Sequence, residues 1–516
     1  MSETSYKHSW HESISAFLHP RVITMLFLGF AAGIPLLLIF SSLSLWLREA
    51  GIERAAVTYF SWAALGYSFK FVWAPLVDKI PIPIFTKLLG RRRSWMLLAQ
   101  LSIIIAILLM AFVDPASGGH SLEYMAWSAV LLGFSSATQD VVVDAYRIES
   151  AEPDLQAMLS SSYIAGYRIG MLVAGAGALY LATYFGSVMD AYNYQAWQWT
   201  YIIMSTFMLV GVVTTLLISE PKNTRINEVT HSSWDYLSFL VLFVFAIAGF
   251  IATFYYSSNL VDSAKQELTD LLANKHLASF SIELLRIAAA ITVAWLVAKL
   301  MMFLKLVQQE MVEETYIMPV KDFFQRYGMS LAWLLLALIG LYRISDIVLG
   351  VISNVFYLDL GFSKPEIASV VKTFGLLMTI VGGFLGGLLS VRFGVMRILF
   401  IGALLSALTN LLFMLLAQTG YDMTLLYIVI SADNLSAGLA SAAFIAFLSS
   451  LTNISFTAIQ YAIFSSLMTL LPKVLGGYSG SMVDQLGYSN FFLLTAIMGL
   501  PVLYLILVAS KRFNAN

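Results

Sequence analysis

The sequence predicts an all-α polytopic membrane protein: two six-helix bundles with two further helices inserted between them, fourteen spans in all. Three observations carry this. Of 516 residues, 59% are hydrophobic and 11% charged, with a mean hydropathy of +0.82; soluble domains carry about 25% charged residues. Apolar stretches near 20 residues long, enough to cross a bilayer, recur along the whole chain. Lysine and arginine crowd into alternate loops, which fixes an orientation.

Taken in order, residues 1–20 form a polar, amphipathic segment. It lacks the short apolar run and small-residue cleavage site of a secretory signal, so the first span is expected to act as its own insertion signal. The N-terminal bundle, 21–218, holds spans near 21–47, 55–79, 94–113, 122–147, 156–184 and 197–218. A linker region, 219–327, opens with Ser219-Glu220-Pro221-Lys222-Asn223-Thr224-Arg225. It contains spans near 233–257 and 280–307, joined by a polar outer loop with some helix. The C-terminal bundle, 328–516, holds spans near 330–358, 365–391, 394–417, 422–450, 456–484 and 489–510. The loop with Lys79, Lys87, Arg91, Arg92 and Arg93 is strongly basic, and Lys222, Arg326, Arg392, Arg397 and Arg512 fall on the same side. Loops near 114–121, 185–196 and 418–422 carry neither lysine nor arginine. Both termini are therefore expected in the cytoplasm.

Composition also excludes. Without cysteine there are no disulfides, thiolate metal sites or cysteine nucleophiles. The six histidines lie in the N-terminal segment, in loops or near helix ends, so no metal site or histidine relay is expected at membrane depth. A net charge of -1 with dispersed basic residues gives no nucleic-acid footprint. No span carries a Ser/His/Asp arrangement, and Gly477-Tyr478-Ser479-Gly480 meets the nucleophile-elbow pattern only out of register. The chain therefore reads as no enzyme, and no cofactor is expected.

The two bundles resemble each other weakly. Leu47-Arg48-Glu49-Ala50-Gly51 at the end of the first span is matched by Leu358-Asp359-Leu360-Gly361. Arg168 is followed by Gly175, and Lys473 at the same spacing by Gly480. Parallel six-helix halves with a solute site at the midplane resemble the major facilitator superfamily. The loop after the second span is similar to that superfamily's inter-helix motif, Gly-x-x-x-Asp-Arg-x-Gly-Arg-Arg, split here into Asp78-Lys79 and Gly90-Arg91-Arg92-Arg93 by ten residues. Within the superfamily, Phe69-Lys70-Phe71-Val72-Trp73-Ala74-Pro75-Leu76-Val77-Asp78, Ser135-Ser136-Ala137-Thr138-Gln139-Asp140, Gly166-Tyr167-Arg168-Ile169-Gly170 and Lys372-Thr373-Phe374-Gly375 resemble the AmpG muropeptide permease family. The likeness runs through both bundles but not the inserted pair, and the acetyl-CoA transporter family shares some of it.

The residues carry a reading of their own. Ionisable groups at membrane depth persist mainly where they face a bundle interior or a wet cavity. Asp140, Asp144 and Arg147 share one helix face. Either both acids carry protons, or Asp144 pairs with Arg147 as a gate and only Asp140, with Gln139, sees the cavity. Lys70 has no acid one turn away on its own helix, which calls for an acid from another helix or an anionic ligand. Lys372, nearer a span end, reads equally as a snorkelling base. Arg343 and Asp346 are one turn apart, either a self-neutralising pair or part of the site.

Arg168 stands among Gly166, Tyr167 and Gly170; the glycines allow close helix approach, and the guanidinium offers a fork for a carboxylate. Lys473 repeats this more weakly. Asp433 with Asn434 occupies the fourth span of the second bundle. Tyr67, Tyr167 and Tyr342 lie beside charges and suit a sugar ring. Solute contacts are thus expected from Tyr67, Lys70, Gln139, Tyr167, Arg168, Tyr342, Arg343, Lys372, Asn434 and Lys473. Proton coupling is expected from Asp140, Asp144, Asp346 and Asp433, and gating from Asp78, Arg92, Arg147 and Arg392. Trp73 and Trp95 read as interfacial belt residues. In the inserted pair, Glu283 and Arg286 read as a local pair, Lys299 and Lys305 as snorkelling bases, and the pair itself as peripheral scaffolding.

The resemblance makes the solute concrete. It implies proton-driven import of N-acetylglucosaminyl-1,6-anhydro-N-acetylmuramic acid, with or without peptide, across the bacterial inner membrane. Peptidoglycan recycling and an indirect effect on β-lactamase induction follow. The partners are then this solute, protons and the bilayer, with no nucleic acid, and a monomer is expected. A carrier of another bulky anion such as an acyl-CoA, or a transporter-like receptor, is the alternative.

Overall fold

The computed structural model describes residues 18–52, 60, 66–150, 152, 155–188, 191–221, 232–272, 275–363, 366–476 and 479–513. Apart from an isolated bridge between Val188 and Ala191, regular structure among them is helical. The chain divides into two compact units, Met1–Thr224 with Phe324–Asn516, and Arg225–Phe323.

The first unit contains the N-terminal bundle and, from Phe324 onward, the C-terminal one. The N-terminal bundle comprises α1 (Pro20–Leu37, continued through a π-helical turn, Leu38–Ser42, into Leu43–Glu49), α2 (described over Gly66–Phe69, Lys70–Val72 and Ala74–Lys79) and α3 (Arg91–Ala111). It is completed by α4 (Ser121–Ser150), α5 (Gln156–Leu172, continued through Val173–Gly177 into Ala178–Tyr184) and α6 (Tyr194–Phe207 and Leu209–Leu217). The second unit holds α7 (Ser233–Leu272) and α8 (Lys275–Phe303). The C-terminal bundle is α9 (Met318–Leu341 and Ile344–Asp359), α10 (Ile367–Phe374 and Gly375–Phe393), α11 (Val395–Thr419), α12 (Met423–Leu451), α13 (Thr457–Gly476) and α14 (Ser479–Met498 and Leu500–Phe513). Among the described residues, twelve helices are long and apolar enough to cross a membrane. α4, which carries Asp140, Asp144, Arg147 and Glu149 in its second half, is not among them.

Close packing of α1 on α5 depends on glycine. A Cβ at Gly33 or Gly166 would stand 2.0 or 1.9 Å from a backbone oxygen of the partner helix, so only glycine lets these backbones meet. Where both helices loosen into π turns, each exposed carbonyl gains a donor: Ser42 bonds Ala174 O (2.8 Å) and Tyr201 bonds Leu38 O (3.0 Å). In an apolar medium that compensation is obligatory. At the end of the molecule that carries Arg91–Arg93, the basic end, Glu220 accepts from the Arg92 and Arg93 amides (2.8 and 3.1 Å). It thereby supplies the acceptor that the first turn of α3 otherwise lacks. Gly90, at φ 86°, makes room; a Cβ there would meet the Glu220 carboxyl carbon at 2.5 Å. One apolar core at this end joins Val141, Tyr146, Met158 and Tyr163 of the first bundle to Ala458 and Ala462 of the second.

Several expectations are corrected. The polar stretch after 257 is not mainly loop: α7 runs on to Leu272, 40 residues or about 60 Å, twice the hydrocarbon thickness. α9 begins before 330 and is broken at Gly328 (φ 69°) and again between Leu341 and Ile344. Residues 477 and 478, between α13 and α14, lie outside the described residues, and the backbone breaks at Gly487 (φ 73°), between the spans expected near 456–484 and 489–510. Trp73 is no belt residue: it is 8% exposed, and its indole donates to Thr138 on α4 (3.1 Å). Arg286 donates to Ser257 and Ser258 of α7 (3.1 and 2.9 Å), while the expected pair with Glu283 falls on a side chain outside those described. Lys299 lies over the Trp295 ring at 4.3 Å.

Candidate functional site

The charged side chains of the two bundles form two groups at different depths. The first is at the basic end. Arg92, 1% exposed, is clasped by Asp78 (2.7 Å) and by both oxygens of Glu149 (2.6 and 2.9 Å). Each carboxylate then reaches the other bundle: Asp78 accepts from the Ile459 amide in the first turn of α13 (3.0 Å), and Glu149 from the Thr457 hydroxyl (2.7 Å). A helix N-terminus has free amides and a positive dipole end, so it suits a carboxylate. Arg147, fully buried, makes a second crossing, donating to Ser160 (2.9 Å) in its own bundle and to Ser449 (2.8 Å) on α12. Its guanidinium also lies 5.1 Å from the centre of the Tyr461 ring on α13. The gating residues expected at Asp78, Arg92 and Arg147 therefore meet partners that sequence reasoning did not name. Arg392 lies by the Phe393 ring at 5.6 Å, at the corresponding end of α10.

The second group lies deeper. Asp140 precedes the end of α4 at Ser150 by ten residues, about 15 Å. Arg168 follows the start of α5 at Gln156 by twelve residues, about 18 Å. The acid that Lys70 required is Asp144, 3.6 Å away on α4, whose other oxygen is 3.3 Å from Arg147. Asp140 accepts from the Tyr163 hydroxyl at 3.4 Å and lies in the field of Lys70 and Asp144. Tyr67 shares a hydrogen bond with Ser136, and Tyr67 and Tyr167 both lie in the field of Asp140. In the second bundle Arg343 pairs with Asp346 (3.3 Å) and donates to Ser441 (3.0 Å), while Asp433 meets Thr409 at 3.4 Å and feels both Arg343 and Asp346.

Arg168 differs from the rest. Among the described residues its guanidinium meets only the Met171 sulfur, 4.0 Å away, and no acid, and it lies in the field of Arg343 of the opposite bundle. An unpaired guanidinium in the field of a second one has the fork geometry and the charge to accept an anion.

The remaining expected residues have other surroundings. Tyr342 packs into its own bundle, donating to Leu399 O (3.1 Å) and stacking on Phe444 at 4.1 Å. Asn434 bonds Thr379 (2.9 Å) and Ile430 O (3.0 Å). Gln139 is fully buried, and neither its amide oxygen nor its nitrogen has a partner among the described residues. Lys372 is exposed on the π-helical turn of α10. Lys473 lies on α13, and its side chain is outside those described. Tyr163, Glu149, Ser449, Thr457 and Tyr461 were not expected. Only Glu149 left a sequence signal, as a further acid at the end of an already charged span.

Comparison with known proteins agrees with this architecture. The Major Facilitator Superfamily profile matches residues 22–356. The chain is similar to the protein named AmpG 4 of Rickettsia conorii, 30% identical over 496 residues, 96% of this chain and 97% of that one. It is also similar to the anhydromuropeptide permease of Escherichia coli, 29% identical over 499 residues, 96% of this chain and 81% of that one. Among solved structures, it shares the fold of the proton:xylose symporter XylE (TM-score 0.56, 12% identity, 96% and 95% coverage). It likewise shares that of the Escherichia coli fucose:proton symporter FucP (TM-score 0.58, 10% identity, 96% and 99% coverage). The chain thus belongs to the AmpG-type family of Major Facilitator Superfamily transporters, as a multi-pass membrane carrier of a small-molecule solute.

Proposed function

We propose that this transporter imports anhydro-muropeptides together with protons, moving N-acetylglucosaminyl-1,6-anhydro-N-acetylmuramic acid, with or without its peptide, from periplasm to cytoplasm. The place in physiology is peptidoglycan recycling, with an indirect influence on β-lactamase induction. The basic end is cytoplasmic, as are both termini, the membrane is the bacterial inner membrane, and the monomer is the working unit. The observation that carries the reading is Arg168, a membrane-depth guanidinium without an acid partner among the described residues, close enough to feel Arg343 of the other bundle. The lactyl or peptide carboxylate of the solute fits that fork, and Tyr67 and Tyr167 supply ring faces and hydroxyls for sugar. Asp140 and Asp433 have no cation within pairing distance among the described residues, so each can exchange a proton without breaking an ion pair. The names of the similar proteins support the solute class.

The test is uptake of labelled anhydro-disaccharide into vesicles with an imposed pH gradient. Accumulation driven by the gradient is expected, lost in Asp140→Asn and reduced at least about tenfold in Arg168→Ala, the scale of one lost charge-assisted bond. Flux indifferent to the gradient rejects proton coupling. Flux of another anion that anhydro-muropeptides do not inhibit rejects the solute.

A further inference from the structure

Asp144 is shared between two cations, and the sharing joins the solute cavity to a bond that holds the bundles together. Its Oδ2 is 3.6 Å from Lys70 Nζ, and its Oδ1 is 3.3 Å from Arg147 Nη2. Both distances exceed the roughly 2.7–2.9 Å of a charge-assisted hydrogen bond. The carboxylate therefore stands between its partners, docked on neither. Arg147 uses Nη1 twice, on Ser160 of its own bundle and on Ser449 of the other, while its buried Nε has no hydrogen-bond partner. A guanidinium meets a carboxylate best through two parallel N–H bonds. Here one long bond of a possible Nε–Nη2 fork is made and the other is not.

We propose that Asp144 is a positioning residue that couples anion binding at Lys70 to release of the Arg147–Ser449 bond between the bundles; this rests on the anion-transport reading above. An anionic solute that engages the Lys70 ammonium frees Asp144 to close onto Arg147 through both Nε and Nη2. Completing that fork turns the guanidinium, and the turn carries Nη1 away from Ser449. The ring of Tyr461 gives the moving cation a face to rest on. Asp140, the other carboxylate in the field of Lys70, lies two helical turns from Arg147 and is engaged by Tyr163, so it does not substitute. Solute binding in the cavity is thereby converted into opening at the basic end.

The chain has no cysteine, so cysteines placed at Glu152 and Ile454 take spin labels without background. Both positions are exposed, on the basic-end loops of the two bundles. Electron–electron double resonance then reads the distance between them. Lys70→Met imitates a lysine already engaged and is expected to raise the long-distance population about tenfold without any solute, the effect of one charged hydrogen bond. Adding Asp144→Asn to Lys70→Met restores the short distance, because the amide no longer draws Arg147 away. Lys70→Arg keeps the charge and stays closed, which separates the effect from misfolding. Ser449→Ala opens whatever occupies position 70. In the parent, N-acetylglucosaminyl-1,6-anhydro-N-acetylmuramic acid produces the same opening, whereas Asp144→Asn binds the disaccharide in equilibrium dialysis and remains closed.

A well-folded Lys70→Met protein with the parent's distance distribution overturns the coupling, as does an Asp144→Asn protein that opens on binding. If Lys70→Met opens but the parent ignores the disaccharide, the coupling stands and the solute assignment falls.

Discussion

The basic end and the deeper charge group are built from the same residue types with opposite results. At the basic end every described charge facing the other bundle has a partner: Arg92 joins Asp78 and Glu149, and both acids continue to α13. In the deeper group, Arg168, Asp140 and Asp433 have no ion partner among the described residues. Pairing a buried charge makes it a structural element whose removal strands its partners. Leaving it unpaired keeps it available to a solute or a proton, at a cost in stability. On the function proposed above, the difference is expected to separate residues whose loss unfolds the protein from residues whose loss stops transport.

The contrast is broken most severely by Arg92→Ala. It removes the cation that Asp78 and Glu149 share, and a loss of about 3–5 kcal/mol of stability is expected in thermal unfolding in detergent. Arg168→Ala is the opposite case. Its unfolding temperature is expected to match or exceed the parent's, while uptake falls at least about tenfold, and Arg168→Lys recovers only part because the planar fork is gone. A drop in unfolding temperature comparable to that of Arg92→Ala would erase the distinction between the two regions.

Thr457→Val tests the boundary between them. It removes one hydroxyl bond to Glu149 yet spares the Arg92 pair, so about 1 kcal/mol, roughly a fivefold shift toward the open basic end, is expected by double resonance. The smallest effect lies at the far end, where the Tyr421 hydroxyl, then the Ser363 amide and hydroxyl, hold the exposed Glu366 carboxyl below its ordinary range. A depressed carboxylate contributes stability above its unfolded pKa, about 4.3, and loses it as pH falls further. Tyr421→Phe should slightly flatten that acid limb of a pH–unfolding curve and leave the curve at pH 7 nearly unchanged.

Much of the fold was legible because its signals are local. Span length, loop charge and the split Asp78…Arg92 motif are all properties of contiguous residues. What was not legible depends on which helices touch. The partner of Lys70 lies on α4, and Trp73 is inside because Thr138 on that helix offers an acceptor. Ser449 and Thr457 are ordinary residues until α4 is laid against α12 and α13. The surroundings of Tyr342 were not legible for a geometric reason: it sits in the break of α9 between Leu341 and Ile344, where no helical register relates it to its neighbours. Its adjacency to Arg343 therefore says little about facing the same cavity, and its hydroxyl reaches Leu399 instead. The long reach of α7 escaped because leucines spaced through a polar stretch keep a helix going after the membrane has ended.

The Glu220 cap on α3 decides where the chain can be cut. After α6 ends at Leu217, the peptide is still fastened to the N-terminal bundle three residues later, on the amides of Arg92 and Arg93. A minimal transporter made by excising residues 225–323 and splicing the ends keeps that fastening, whereas a splice that begins at Ser219 strips it. Surgery on the inserted pair therefore has a natural upstream limit just past Glu220, and a shortened protein that respects it isolates what α7 and α8 contribute.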